Sequence, residues 1–147
     1  MTKEVMISIK GLQLNEEQGA DNLETIIAGT YYKKNDSHYV VFDEVLEGYE
    51  NTIKSIIKFN GKEMSLTRHG LVNVHMLFEE KRKNMTSYGT PFGNIMIGIE
   101  ADNIDLEERE NELKLQVAYD LEVNYEHLAD CKIEMHITEK REPLKLV

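Results

Sequence analysis

Apolar and polar side chains alternate along most of this chain. The longest alternating stretch covers residues 112–124, and its apolar members are Leu113, Leu115, Val117, Tyr119, Leu121 and Val123. Shorter stretches follow the same pattern at residues 5–9, 72–78, 95–101 and 133–137. Successive side chains of a β-strand point to opposite faces, so this period of two predicts long strands with one buried face.

Short polar segments separate these stretches and predict the turns between strands. Asn60-Gly61 lies between two apolar runs, and Asn-Gly readily adopts the positive φ angles that a two-residue hairpin turn requires. Residues 34–36 predict a second turn, and polar connectors are predicted at residues 48–51, 79–83 and 124–130. The spacing indicates about ten strands.

Strands with one apolar face and short links favour an antiparallel meander, and rolling that meander into a barrel removes its exposed edges. We therefore predict an all-β fold, a single antiparallel meander β-barrel of about eight to ten strands over residues 1–138. Residues 139–147 are charged, contain Pro143, and are predicted to be a loose C-terminal tail. A β-sandwich is the less favoured alternative. Short helices at residues 15–24 and 107–115 are weaker still.

The net charge and the cysteine content indicate which binding partners and which cellular compartment to expect. The chain has 17 Lys and Arg against 27 Asp and Glu, a net charge of −10, which disfavours binding to nucleic acid or an anionic membrane. Cys131 is the single cysteine, so no intramolecular disulfide forms and a cytoplasmic protein is expected. No apolar run approaches the roughly 20 residues of a membrane helix.

Five motifs, taken together, resemble a known family. They are Gly-Thr-Tyr-Tyr at 29–32, Tyr-Val-Val-Phe-Asp-Glu at 39–44, Leu-Thr-Arg-His-Gly at 66–70, Tyr-x-Thr-Pro-x-Gly at 88–93 and Leu-Gln-Val-Ala-Tyr-Asp-Leu at 115–121. In this set and order the chain resembles the YwiB-like family of small bacterial proteins, a domain of unknown function, over roughly residues 5–138. The resemblance implies a closed or nearly closed barrel similar to the calycins, which include the lipocalins. It implies no activity.

Strand parity places one charged pair on the predicted inner face. Arg68 follows Leu66 at a spacing of two, and Glu44 follows Phe42 in the same way. A buried guanidinium needs a carboxylate or several acceptors, because a stranded buried charge is strongly destabilising. We expect Arg68 and Glu44 to be partners, either as a structural pair or as the polar end of a ligand cavity. If parity fails at the strand ends, both reach water.

In a ligand cavity, Tyr88 or Tyr39 would add a hydroxyl beside Arg68 and Glu44. An enclosed space of ~300 Å³ or more that reaches Arg68 would favour a ligand, and a barrel filled by side chains would not.

The sequence predicts no catalytic residues, no metal site and no cofactor. His69, His75 and His136 fall on the outward parity of their strands, and Cys131 with His127 lacks the spacing of a zinc site. No nucleophile is placed beside a base by spacing alone. We therefore expect a protein that is not an enzyme.

Two functions remain. In the first, the barrel interior holds a small amphipathic molecule with its polar end near Arg68 and Glu44. In the second, side chains fill the barrel and an outer face binds protein, with a homodimer as one form. The outer face near Met96 and Gly98 is a candidate for such a contact.

Overall fold

The computed structural model describes residues 3–11, 24–45, 52–69, 74–90 and 93–140, and only the backbone of Val45, Thr52 and residues 88–90. Within these ranges the chain forms ten β-strands and no helix, so none of the described residues belongs to a helix that could cross a membrane. The strands are β1 (Lys3–Lys10), β2 (Glu24–Lys34), β3 (Ser37–Val45), β4 (Thr52–Phe59), β5 (Glu63–His69), β6 (Val74–Glu79), β7 (Lys83–Thr90), β8 (Gly93–Glu108), β9 (Glu112–Val123) and β10 (Glu126–Glu139).

All ten strands belong to one antiparallel sheet, in the order β6-β5-β4-β3-β2-β1-β10-β9-β8-β7. Consecutive strands pair throughout except at β6 and β7, and the first strand pairs with the last. The predicted meander of about ten strands is therefore confirmed. β10 ends at Glu139, one residue beyond the predicted barrel boundary, and residues 141–147 of the predicted tail lie outside the described residues.

The sheet rolls up so that its two end strands, β6 and β7, lie side by side. Thr86 Oγ1 of β7 donates a hydrogen bond to the His75 carbonyl of β6 at 2.9 Å, and the Lys81 amide donates to the Ala101 carbonyl of β8 at 2.8 Å. Inside, the rings of Phe78 and Tyr119 meet edge to face at 5.0 Å although β6 and β9 are not neighbours in the sheet. The fold is a nearly closed barrel, as predicted.

The buried positions follow the predicted alternation. The side chains with essentially no exposure include Ile7, Val40, Ile57, Phe59, Met64, Leu66, Met76, Phe78, Ile99, Leu115, Val117 and Ile133. They come from eight of the ten strands and fill the middle of the barrel. Burial of this apolar surface is the main stabilising contribution.

Two predicted turns have positive φ angles. Asn35 and Asp36 have φ of 51° and 64°, which is the two-residue hairpin geometry expected of residues 34–36. The connector predicted at 124–130 is shorter than expected, because Asn124 and Tyr125 make a two-residue turn with φ of 49° and 69° and β10 begins at Glu126.

The hairpin predicted at Asn60-Gly61 is present, since β4 pairs with β5, but the two-residue turn expected there is wrong. Neither residue has a positive φ, and the connection has three residues instead of two. The reason is local: the Asn60 side-chain oxygen accepts hydrogen bonds from the amides of Lys62 and Glu63 at 2.8 and 3.0 Å. An asparagine that satisfies two backbone donors stabilises the longer loop.

β2 and β3 part near their middle, which opens the barrel wall. They pair only from Thr30 and Val41 toward their shared turn. Gly29 marks the parting point, since a Cβ there would lie 2.7 Å from the Val41 carbonyl oxygen and 2.8 Å from Ile7 Cδ1. A cavity of about 400 Å³ lies at this opening, lined by residues that include Lys54 and Lys140.

Candidate binding site at one end of the barrel

A chain of hydrogen bonds crosses the end of the barrel where β3 begins and β8 ends. The Tyr31 hydroxyl lies 2.7 Å from His38 Nδ1, and His38 Nε2 lies 2.6 Å from Glu108 Oε1. The His38 side chain is 3% exposed, whereas the Glu108 side chain is 50% exposed. The chain therefore links a buried imidazole to a carboxylate at the surface.

A β-bulge directs Glu108 toward His38. The pairing of β8 with β9 shifts between Ala101 and Asn103, which leaves Asp102 as the extra residue. Inward parity moves from Ala101 to Ile104, both of which are buried, and Glu108 then falls on the same parity as Ile104. A bulge is a common device for turning a side chain toward a site.

Aromatic rings fix the plane of the His38 imidazole. The imidazole stacks on Phe59 with ring centroids 5.1 Å apart and on Tyr31 with centroids 5.8 Å apart. Phe59 itself is fully buried, so its ring forms a rigid support below His38. The orientation of the imidazole is thus set by packing as well as by hydrogen bonds.

A cavity of about 200 Å³ lies beside this chain at the barrel end. Its apolar wall includes Val5, Leu113 and Ile137, and its polar wall includes Tyr31 and His38. The remaining lining is mostly charged and belongs to Lys3, Lys33, Glu108, Arg109, Glu110, Asn111, Glu112, Thr138 and Glu139. An apolar wall with a few converging polar groups is typical of a small-molecule site.

A hydrogen bond and an ion pair hold the rim of the cavity. Glu112 Oε2 lies 2.9 Å from His136 Nε2, and Arg109 Nη1 lies 3.6 Å from Glu112 Oε1. The hydrogen bond from His136 lowers the pKa of the Glu112 carboxyl. These contacts join the tip between β8 and β9 to the neighbouring strand β10.

The run Glu-Glu-Arg-Glu at residues 107–110 is typical of a solvated hairpin tip, and only part of it is one. Glu110 and Arg109 are exposed, in keeping with that interpretation. Glu108, however, bonds a histidine 70 residues away in sequence.

Two tyrosines are expected to ionise late in an alkaline titration. Burial and, less strongly, the charge of Glu108 raise the pKa of Tyr31. Burial, together with Cys131, raises the pKa of Tyr119. A folded-state pKa above the unfolded value of about 10 means that the stability contributed by the neutral phenol is complete below that pH and is lost as pH rises further.

Phenolate absorbance should therefore show a late component in the folded protein. We expect Tyr31→Phe combined with Tyr119→Phe to remove that component and to flatten the alkaline loss of stability followed by circular dichroism. A titration unchanged in the double variant would contradict the prediction.

The contact predicted between Arg68 and Glu44 is present at the other end of β3. Arg68 Nη2 lies 3.5 Å from Glu44 Oε1, and the Ser55 hydroxyl donates to the same oxygen at 3.4 Å. Both charged side chains are about a quarter exposed, 26% for Arg68 and 27% for Glu44. Arg68 Nε is buried and has no hydrogen-bond partner among the described residues. A role for the pair in ligand binding stays a prediction.

Neither of the two tyrosines predicted beside Arg68 and Glu44 is seen next to them in the described part of the chain. Tyr39 lies on the outward parity of β3, the opposite face from Glu44, and stacks on Tyr32 at 4.7 Å with Lys58 Nζ 5.7 Å from its ring centroid. The side chain of Tyr88 lies outside the described residues.

Neither of the two described cavities is lined by Arg68 or Glu44. The cavity near His38 faces the opposite end of the barrel, and the cavity near Gly29 lies at the opening between β2 and β3. The expected space of ~300 Å³ reaching Arg68 is thus not among them.

Carboxylates also cluster on the outer face of β8, β9 and β10. Two groups of side chains have atoms of the kind that bind metal ions within 4.8 Å of one another, and both groups include Asp120. One group adds His127 and Asp130, and the other adds Glu100 and Asp102. A hydrogen bond with Asp130, ahead of burial and the Asp102 charge, raises the pKa of Asp120. The Asp130 side chain is 82% exposed, and none of these residues lines the cavity beside His38.

One feature of the sequence points to this site. His38 has the inward parity of Val40, which the alternation places in the core. A polar residue at a core position indicates a partner, but the partners Tyr31 and Glu108 come from separate strands and are not identified by spacing. Glu108 also required the bulge at Asp102, and its signal is the spacing of three between Ala101 and Ile104.

Comparison with known proteins gives matches along the whole barrel. A family model described as a domain of unknown function (DUF1934) matches residues 7–135. The uncharacterized beta-barrel protein YwiB of Bacillus subtilis (strain 168) is 25% identical over 136 residues, which are 90% of this chain and 94% of that protein. The crystal structure of the ywiB protein from Bacillus subtilis aligns with a TM-score of 0.75 at 19% identity, covering 95% of this chain and 94% of that one.

Proposed function

This chain belongs to the DUF1934 family, a domain of unknown function, and we propose that its barrel is a non-enzymatic module that binds a small amphipathic molecule in the cavity beside His38. The observation that carries the proposal is a cavity of about 200 Å³ whose inner wall contains a buried, hydrogen-bonded histidine. The next inward positions of β3, Val40 and Phe42, are apolar and buried, so His38 is a polar exception in this part of the strand. Burying a polar network instead is costly unless it is fully satisfied.

The lining matches an amphipathic ligand. Val5, Leu113 and Ile137 offer apolar contact, while Tyr31 and Glu108 offer polar atoms at the mouth. The volume of about 200 Å³ has room for about seven groups the size of water, at roughly 30 Å³ each. A ligand with about seven non-hydrogen atoms is the size that this cavity accepts.

Binding without catalysis is supported by the state of Tyr31. Burial holds its phenol in the neutral form by raising the pKa, and its hydroxyl lies 2.7 Å from His38 Nδ1. The lining residues include no serine or cysteine, and Thr138 supplies their one aliphatic hydroxyl.

The test uses hexanol, which has an alkyl chain, one polar group and the required size. We expect saturable changes in the amide resonances of residues such as Tyr31, His38 and Leu113 in NMR titrations. Leu113→Trp, which fills the cavity, should abolish these changes, whereas Leu77→Trp at a half-buried outward position of β6 should not. Native mass spectrometry of protein from its own host would detect a retained molecule and the number of subunits.

If the NMR changes were confined to the amides of Arg68 and Glu44, the ligand would bind at the other end of the barrel. The buried, unpartnered Arg68 Nε supports that second location. No saturable change at either end would contradict a ligand-binding function.

The alternative is a protein-interaction module, and the filled middle of the barrel supports it. The outer face near Gly98 gives it less support than the sequence suggests. A Cβ on Gly98 would lie 2.8 Å from Met85 Sδ and 3.0 Å from Glu122 Oε2, so side chains of the same chain already cover this glycine.

A further inference from the structure

We infer that the cavity beside His38 selects a small organic amine, bound through its protonated nitrogen with its alkyl part on the apolar wall. This inference rests on the proposed function and adds the chemical class of the ligand. It follows from the direction of the hydrogen bonds in the chain Tyr31, His38 and Glu108.

The Glu108 carboxylate determines which atom donates in each of the two hydrogen bonds. An ionised Glu108 only accepts hydrogen bonds, so His38 Nε2, 2.6 Å away, must carry the proton. In a neutral imidazole the other nitrogen then accepts, so Nδ1 accepts a hydrogen bond from the Tyr31 hydroxyl at 2.7 Å. Both donors, the Tyr31 hydroxyl and His38 Nε2, are therefore used by hydrogen bonds among these three side chains.

What the chain leaves for a ligand is acceptors alone. The Tyr31 oxygen keeps its lone pairs after donating to His38, and Glu108 keeps its second carboxylate oxygen. A ligand that satisfies these atoms must bring N–H or O–H groups. A protonated amine brings up to three N–H donors and a positive charge, and hydrogen bonds between charged groups are the stronger class.

The charges around the cavity favour a cation over an anion. Its lining has four glutamates against two lysines and one arginine. Lys3 Nζ lies 3.6 Å from Glu139, and Arg109 pairs with Glu112. Setting these two pairs aside leaves Glu108 and Glu110 against Lys33. The net charge of −10 also raises the concentration of small cations near the protein.

The apolar wall of the cavity determines the rest of the ligand. The wall formed by Val5, Leu113 and Ile137 has no charged atom to pair with a ligand, so the remainder of the molecule must be apolar. A short alkylamine such as hexylamine combines a suitable length with a single ammonium group.

The experiment compares hexylamine, hexanol and hexanoate at neutral pH by NMR titration of the whole chain. The three probes share an alkyl chain and differ in charge. We expect hexylamine to bind about tenfold or more tightly than hexanol, because one charge-assisted hydrogen bond contributes that much, and hexanoate to bind weakest.

Glu108→Gln tests the carboxylate directly. Glutamine keeps an oxygen that accepts from His38, so the fold should be retained, but the negative charge is lost. We expect the preference for hexylamine over hexanol to shrink to about threefold or less, because only the amine loses a charged partner. Glu126→Gln, at an exposed carboxylate outside the cavity, is the matched control and should preserve the preference.

Equal binding of hexylamine and hexanol, or a preference for hexanoate, would overturn the amine inference and leave the proposed binding function intact. Absence of binding by all three probes would overturn both.

Discussion

Phe59→Ala is expected to lower the free energy of unfolding by about 3–5 kcal/mol, the usual cost of removing a buried phenylalanine. Phe59 has no exposed surface and its ring stacks on His38 at 5.1 Å. Its removal would leave a void beneath the imidazole as well as losing apolar burial. Equilibrium denaturation by urea, followed by circular dichroism, measures the change.

Tyr32→Ala is the matched control for the loss of an aromatic ring. Tyr32 stacks on Tyr39 at 4.7 Å on the outward parity of β2, where solvent can replace part of the contact. We expect a loss of about 0.5–1.5 kcal/mol for that stack. If both variants lost the same stability, Phe59 would not have the central packing role described for it.

Gly29→Ala should cost about 1–3 kcal/mol, as an overpacked core substitution does. The new methyl group would lie 2.7 Å from the Val41 carbonyl oxygen, which belongs to the backbone and cannot rotate away. Ile7 Cδ1, at 2.8 Å, would have to move as well. The expected result is a lower urea midpoint with an unchanged dependence on urea concentration.

Gly61→Ala separates this clash from the general effect of replacing glycine. No atom lies within 4 Å of a Cβ built on Gly61, and its φ is not positive. Its stability should stay close to that of the original chain. A Gly29→Ala variant as stable as Gly61→Ala would mean that β2 moves away from β3 without cost.

The alternation of side chains was enough to predict the strands and the inward face of most of them, because burial on one face imposes a period of two. Combined with the inward spacing of Arg68 and Glu44, it also predicted their contact. The family resemblance agreed with the barrel, whereas the likeness to calycins stays a prediction.

The candidate site depends on features that a period of two does not contain. Asp102 inserts one residue into β8 and brings Glu108 to the inner face, and Glu108 then meets His38 from across the barrel end. Contacts between strands that are distant in sequence depend on how the sheet closes. A local pattern therefore places His38 at an inward position but gives no means of naming its partners.

Pairing of β1 with β10 has a consequence for how the chain matures on the ribosome. One edge of β1 receives its hydrogen-bonding partner only after β10 has been synthesised, more than a hundred residues later. A β1 strand paired only with β2 would keep one edge unpaired during that interval, and Ile7 would lack the cover that it has in the complete barrel. Completion of the cylinder is thus a late, nonlocal step, and slow translation or a chaperone would affect the yield of native protein most strongly at that step.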